Sequence, residues 1–156
     1  MSEHEHRHGT VDVDFESMRD RTVVGVLDIE TVEVSADRVV MSVPVTHKVH
    51  QPYGILHGGV SALLAETAAS YGGSLSAPPG HHVVGIELNA SHLRPMREGV
   101  LTAVATPIRR GRTLQVWDIA LSDDAGHDVC RARCTLAVMR NVRGGAGGGT
   151  SPTEIP

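Results

Sequence analysis

The chain has 156 residues and a mass of 16.6 kDa, enough for one domain around one core. Its formal net charge of −4 and pI near 6.2 offer no basic field for a duplex nucleic acid partner, and no apolar run approaches the ~20 residues of a membrane span. The opening MSEHEHRHG lacks the apolar core of a signal peptide, so a cytoplasmic protein without membrane attachment is expected.

Residues 1–21 read as a mobile tail carrying one short helix. His4, His6 and His8 alternate, but no Cys or acid at ligand spacing closes a metal site around them. DVDFESMRDR (12–21) has a thin apolar stripe of Val13, Phe15 and Met18, which predicts the short helix. From Thr22 the pattern changes to period two. TVVGVLDIETVEV, the turn Ser35-Ala36-Asp37 and RVVMSVPVTH predict an antiparallel hairpin, with Met41, Val43 and Val45 on its packed face. Pro44 cannot donate to a ladder, which marks its strand as an edge or a bulge.

The stretch Gln51–Gly73, QPYGILHGGVSALLAETAASYGG, is the centre of the chain. Val60, Ala62, Leu63, Leu64, Ala65, Ala68, Ala69 and Tyr71 are apolar nearly all round a helical wheel, which predicts a helix buried on most sides. Glu66 is its single charge, and an acid taken out of water without a partner needs a local reason. His57-Gly58-Gly59 precedes the helix. Two glycines there present bare backbone N–H groups at the positive end of the helix dipole, where a developing anion is stabilised.

After the helix, SLSAPPGHH reads as a loop. Strand patterns follow at 83–93, 100–108, 113–122 and 129–139, separated by Met96-Arg97-Glu98-Gly99, Arg109-Arg110-Gly111-Arg112 and Asp123-Asp124-Ala125-Gly126, a spacing typical of a meander. Cys130 and Cys134 share one strand, where four residues span roughly 13 Å, too far for a disulfide, so both are expected as buried reduced thiols. The Gly-rich tail at 141–156 lacks apolar periodicity and is expected to be disordered. The fold class is therefore α+β. An antiparallel sheet of five or six strands wraps one long central helix in a domain spanning 22–140.

Gln51, His57-Gly58-Gly59, Glu66 within LLAETAAS, then VVGIELNASHLRPMREG and RGRTLQVWDI occur in the order and spacing that resemble the hotdog-fold acyl-CoA thioesterases. The resemblance is to the branch holding Arthrobacter-type 4-hydroxybenzoyl-CoA and 1,4-dihydroxy-2-naphthoyl-CoA thioesterases, and it runs from about Val23 to Met139. It implies hydrolysis of an acyl-CoA, with an aryl acyl group the better expectation, to the free acid and CoA. It also implies dimers joined at sheet edges, usually paired into homotetramers, with each active site shared between subunits. No metal and no cofactor are implied; CoA is part of the substrate.

The resemblance makes Glu66 either the nucleophile on the thioester carbonyl or the base for water. Gly58 N–H at the helix start polarises the carbonyl, and Gln51 lies where its amide can donate to the same oxygen. His57 holds the loop and the substrate, with proton transfer a second option. Ser70, one turn beyond Glu66, shares its helix face. Glu66 and Ser70 come by resemblance from one subunit, and Gln51, His57 and Gly58 from its neighbour, since eight residues of helix, roughly 12 Å, separate Gly58 from Glu66. The resemblance sets His92 and Arg94 on the CoA side, with Gly59 at the loop. Arg109, Arg110 and Arg112, with the adjoining Thr113, offer bidentate cations for the nucleotide phosphates. His47, His50, His81, His82 and His127 are expected as ordinary surface residues. Two rivals stand beside this reading. A hotdog hydroxyacyl-thioester dehydratase needs a His and an acid placed differently, and a non-catalytic acyl-CoA-binding module has no use for the intact Gln51, His57, Gly58 and Glu66 set.

Overall fold

The computed structural model describes Phe15, Ser17 and residues 19–141. The His4–His8 run, much of the 12–21 segment and the Gly-rich tail from Gly144 lie outside the described residues.

The segment expected as one continuous strand from Thr22 divides in two. Val23–Val26 form a short helix, α1, and strand β1 covers only Glu30–Val34. Val26 N–H donates to Thr22 O at 3.2 Å and Leu27 N–H to Val23 O at 3.1 Å, closing helical turns, and Asp28 at φ 55° then reverses the chain. A four-residue apolar run fits one helical turn as well as a strand, so periodicity alone misassigned it. β1 pairs antiparallel with β2 (Val39–Pro44), from Val34↔Val39 to Glu30↔Ser42, which is the expected hairpin. Pro44 corrects its own reading: β2 lies inside the sheet, and the hairpin's irregularity falls between Thr31 and Glu33 of β1. The proline is accommodated because it ends the strand, two residues beyond the last β1 pair.

The remaining strands are β3 (His81–His92), β4 (Val100–Arg110), β5 (Leu114–Ser122) and β6 (Asp128–Arg140). Every pairing is antiparallel, and the order β1-β2-β4-β5-β6-β3 makes one six-stranded sheet. Only β4, β5 and β6 form a meander. β3 pairs with β6 at the far edge, so 93–99 crosses the sheet where a tight turn was expected.

The long helix α2 runs Gly58–Ser76, three residues into the expected loop, and packs on one face of the sheet. Ser61, Leu64, Ala65, Ala68, Ala69, Gly72 and Gly73 are its buried positions, an i, i+3, i+4 stripe. They meet Met41, Leu101, Trp117, Ile119, Leu121 and Leu136 from the strands in one core. Small residues line the stripe because the sheet comes close. A Cβ at Gly72 would lie 2.7 Å from Trp117 Cζ3, and one at Gly73 would run into the Leu136 side chain. Most of the helix is buried or half-buried, and Glu66, at its β3 side, is exposed.

Candidate functional site

The loop leading into α2 is fixed at both ends. Gln51 N–H donates to Ile55 O at 2.9 Å and Gly54 N–H to Gln51 O at 2.9 Å, a turn completed by the positive φ of Gly54. His57 N–H donates to Val49 O at 2.9 Å, and Leu56 N–H to Met96 O at 2.7 Å, tying the loop to the 93–99 crossover. Arg97 reinforces that tie through Nη1 to Gly54 O at 3.3 Å. His50, expected at the surface, is half-buried, with a ring nitrogen 2.8 Å from Arg97 O.

Within this loop the polar groups are oriented. Gln51 Oε1 accepts Tyr53 N–H at 2.7 Å, so its amide NH₂ is the free end. His57 is the N-cap of α2, and its Nδ1 accepts Gly59 N–H at 2.8 Å. This corrects the expectation of two bare donors: Gly59 N–H is engaged, and among the described residues Gly58 N–H has no acceptor. It also leaves His57 Nε2 as the ring's remaining polar group.

Gly58, Gln51, Ser61, His92 and Arg94 line a cavity of about 360 Å³ with Ile55, Leu56 and Val129 as its apolar walls. The end of β3 brings His92 directly over the helix start, where a Cβ at Gly58 would lie 2.7 Å from His92 Nε2. Glycine is required there by space, because the imidazole occupies the side-chain position. Gln51, Gly58, His92 and Arg94 are thus brought together, around an unpaired N–H at a helix N-terminus.

Glu66 lies elsewhere. With Gly59, Ser70, Thr67, Ala62, Leu63 and Tyr71 it lines a separate cavity of about 540 Å³. Ser70 is on the acid's face as expected, and no hydrogen bond to Glu66 is made among the described residues. Three neighbours of this acid were not connected with it by the sequence. Tyr71 stacks on Phe15, ring centroids 3.9 Å apart and 17° between planes, at one end of the cavity. Gly85 of β3 faces Glu66 Oε1 so closely that a Cβ there would overlap it. A lone glycine inside a strand pattern was the available signal, since it marks a bulge or a close approach. Cys134 lies within electrostatic reach: its thiol is pushed up to about 12 by burial first, then by the charges of Glu66 and Glu87. Both cysteines are free and buried, as expected.

The arginine turn is split. Arg109, Arg112 and Thr113 line a third cavity of about 430 Å³ with Gly111, Leu114 and Val116. Arg110 turns away to the β1–β2 turn, where Nη2 meets Asp37 Oδ1 at 2.7 Å and Nη1 donates to Ala36 O at 3.0 Å. It therefore braces the sheet and stands apart from the cationic set. His127 pairs with Asp123 at 3.1 Å, while Asp123 is held below the usual carboxylate range by hydrogen bonds from the backbone and side chain of His127.

The helix thus offers a donor for a carbonyl oxygen at the Gly58 N–H in one cavity and a carboxylate, Glu66, in another, and these are the parts that acyl transfer needs. The family model of the thioesterase superfamily matches residues 53–130, a span covering the helix start and Glu66. A protein of Listeria monocytogenes named 1,4-dihydroxy-2-naphthoyl-CoA hydrolase is 46% identical over 114 residues, covering 73% of this chain and 93% of that protein. The proofreading thioesterase EntH of Cronobacter turicensis is 42% identical over 118 residues, covering 76% and 86%. A solved thioesterase from Haemophilus influenzae superposes with a TM-score of 0.76 at 44% identity, over 80% of this chain and 87% of that one. With its six-stranded sheet and single long helix in the hotdog arrangement, the chain belongs to the thioesterase superfamily and is a thioester hydrolase.

Proposed function

We propose that the chain hydrolyses an aryl acyl-CoA to the free acid and CoA, with Glu66 of one subunit working on a carbonyl held by Gly58 and Gln51 of another. The observation that carries this reading is the unpaired Gly58 N–H, flanked by the free amide end of Gln51, on the helix that also carries the exposed Glu66. The relative named as a dihydroxynaphthoyl-CoA hydrolase supports the aryl and CoA parts.

In the proposed reaction the thioester oxygen takes Gly58 N–H and the Gln51 amide as donors. Glu66 supplies the electron pair to the carbonyl carbon, directly or through a water that it deprotonates, and Ser70 lies one turn on to orient either. The C–S bond then breaks and the sulfur leaves with its electron pair as thiolate; on the water route this gives the free acid at once, and on the direct route it leaves a mixed anhydride on Glu66 that a water hydrolyses to the acid and the free carboxylate, the proton lost by the water going in either case to the thiolate. His57 holds the loop by capping the helix. His92 and Arg94 line the carbonyl cavity on its CoA side, and Arg109, Arg112 and Thr113 take the nucleotide phosphates. No metal ion or bound cofactor enters. A homodimer, paired into a homotetramer, is the working form, and the two free cysteines fit a reducing cytoplasm.

The test is CoA release from a panel of aryl-CoA and aliphatic acyl-CoA esters by wild type and Glu66→Ala. The expected result is faster turnover of the aryl esters and loss of turnover in Glu66→Ala. Equal rates for the two proteins would remove Glu66 from the chemistry, and binding without turnover by wild type would leave a sensor.

A further inference from the structure

We infer that Gly85 is a positioning residue for Glu66, its missing side chain being the space into which the carboxylate fits. The inference rests on the catalytic reading of Glu66.

The helix α2 lies against β3 as well as the inner strands. Where it passes β3, Glu66 Oε1 sits at the place a Cβ on Gly85 would take, with Glu66 Cδ 3.1 Å and Cγ 3.5 Å from that same point. The backbone does not ask for glycine here, because positive φ occurs at Gly54, Gly80, Gly99 and Gly126 and not at Gly85. Space asks for it. Register adds a second observation: β3 pairs Gly85 with Leu136 and then Glu87 with Thr135, so Ile86 is an extra residue and the strand is bulged immediately after the glycine. A bulge bends its strand and re-aims the neighbouring side chains. The bend falls opposite the acid.

Glu66 has no other anchor among the described residues. No hydrogen bond or ion pair fixes its carboxylate, whereas the nearby Glu87 is held by Asn89 Nδ2 at 3.1 Å and Thr135 Oγ1 at 3.4 Å. What confines Glu66 is contact with the bare backbone of β3. A side chain at position 85 pushes the carboxylate outward, away from the strand, and misplacement by about 1 Å is enough to cost on the order of 10²-fold in rate.

Five variants test this: Gly85→Ala, Glu66→Ala, Glu66→Asp and Glu66→Asp/Gly85→Ala, assayed by CoA release and thermal unfolding, and Glu66→Ala/Gly85→Ala, assayed by unfolding. Positioning predicts that Gly85→Ala lowers kcat by at least about tenfold while KM stays within about twofold. The shorter acid withdraws from position 85, so the alanine lowers kcat by a smaller factor in the Asp background than in wild type. The alanine meets the free end of an exposed side chain, so the unfolding temperature stays close to that of the parent in both the Glu66 and the Glu66→Ala backgrounds. If Glu66→Ala is inactive while Gly85→Ala turns over like wild type, the inference fails and the catalytic reading stands. If Glu66→Ala keeps full activity, that reading itself fails. Should Gly85→Ala unfold the chain with and without Glu66, the strand and not the acid needs the glycine, and the inference is overturned.

Discussion

Gly58 and Glu66 belong to the same helix, α2, yet line different cavities, the first facing His92 and the second facing Gly85. In the proposed mechanism the donor of one subunit therefore meets the acid of another. Co-expression of Gln51→Ala with Glu66→Ala checks this directly. Random pairing makes half the dimers mixed, and each mixed dimer has one intact site of two, so the preparation regains about a quarter of wild-type activity from two inactive parents. A mixture as inactive as its parents would confine each site to one chain.

Gln51 predicts a second effect. Its Oε1 is committed to Tyr53 N–H, so the NH₂ group is what faces the cavity. Gln51→Glu keeps an acceptor for Tyr53 and replaces the donor with a second acceptor beside the developing oxyanion. Its kcat is expected to fall on the order of 10²–10³-fold, the usual loss for one such donor, with an unfolding temperature close to wild type. A full rate in Gln51→Glu would mean that the carbonyl is held by Gly58 alone.

Much of this arrangement was legible in the chain because period and punctuation agree. The four strands after the helix came within three residues of their observed ends, since β5 alternates buried and half-buried positions as Gln115, Trp117, Ile119 and Leu121 require. Gln51, Gly58 and Glu66 were singled out because their order and spacing resemble those of the hotdog thioesterases. Three things were not legible. The turn at Val23–Val26 had no length from which to show a period. The split of Arg110 from Arg109 and Arg112 depended on Asp37, seventy-three residues away. Exposure of Glu66 depended on which side of the helix the sheet would leave open, and an all-apolar wheel does not say.

Gln115 shows how a polar residue stabilises this core. It is buried at 1% exposure, accepts Trp117 Nε1–H at 3.0 Å and donates to Gly73 O at 3.2 Å. Gly73 is among the last four residues of α2, whose carbonyls lack helical partners, so this side chain satisfies the helix end from below. Gln115→Leu keeps the volume but orphans the indole N–H and that carbonyl. Each such group costs about 1–3 kcal/mol. With ~2–4 °C per kcal/mol in a domain of this size, the melting temperature is expected to fall by at least roughly 4 °C. Thermal unfolding measures it, and an unchanged midpoint would mean that the network contributes nothing net.

Cys134 sets a limit on alkaline stability. Burial, with Glu66 and Glu87 nearby, pushes its thiol up to about 12, and burial raises Cys130 as well. Thiol reagents attack the thiolate, so the native protein is expected to show no reactive thiol near pH 8, and both thiols are expected to react once it is unfolded. The linkage has a definite sign. In the unfolded chain a thiol ionises near pH 8.5, while the native Cys134 stays protonated up to about 12. Between those values the unfolded state binds fewer protons, so this contribution to stability is complete below about pH 8.5 and declines as pH rises through the window. Denaturant midpoints for wild type and Cys134→Val, taken from pH 8 upward, isolate it from the other groups that titrate there. The wild-type midpoint is expected to fall more steeply than that of Cys134→Val above about pH 8.5, and parallel curves across the range would show that this thiol ionises alike in both states.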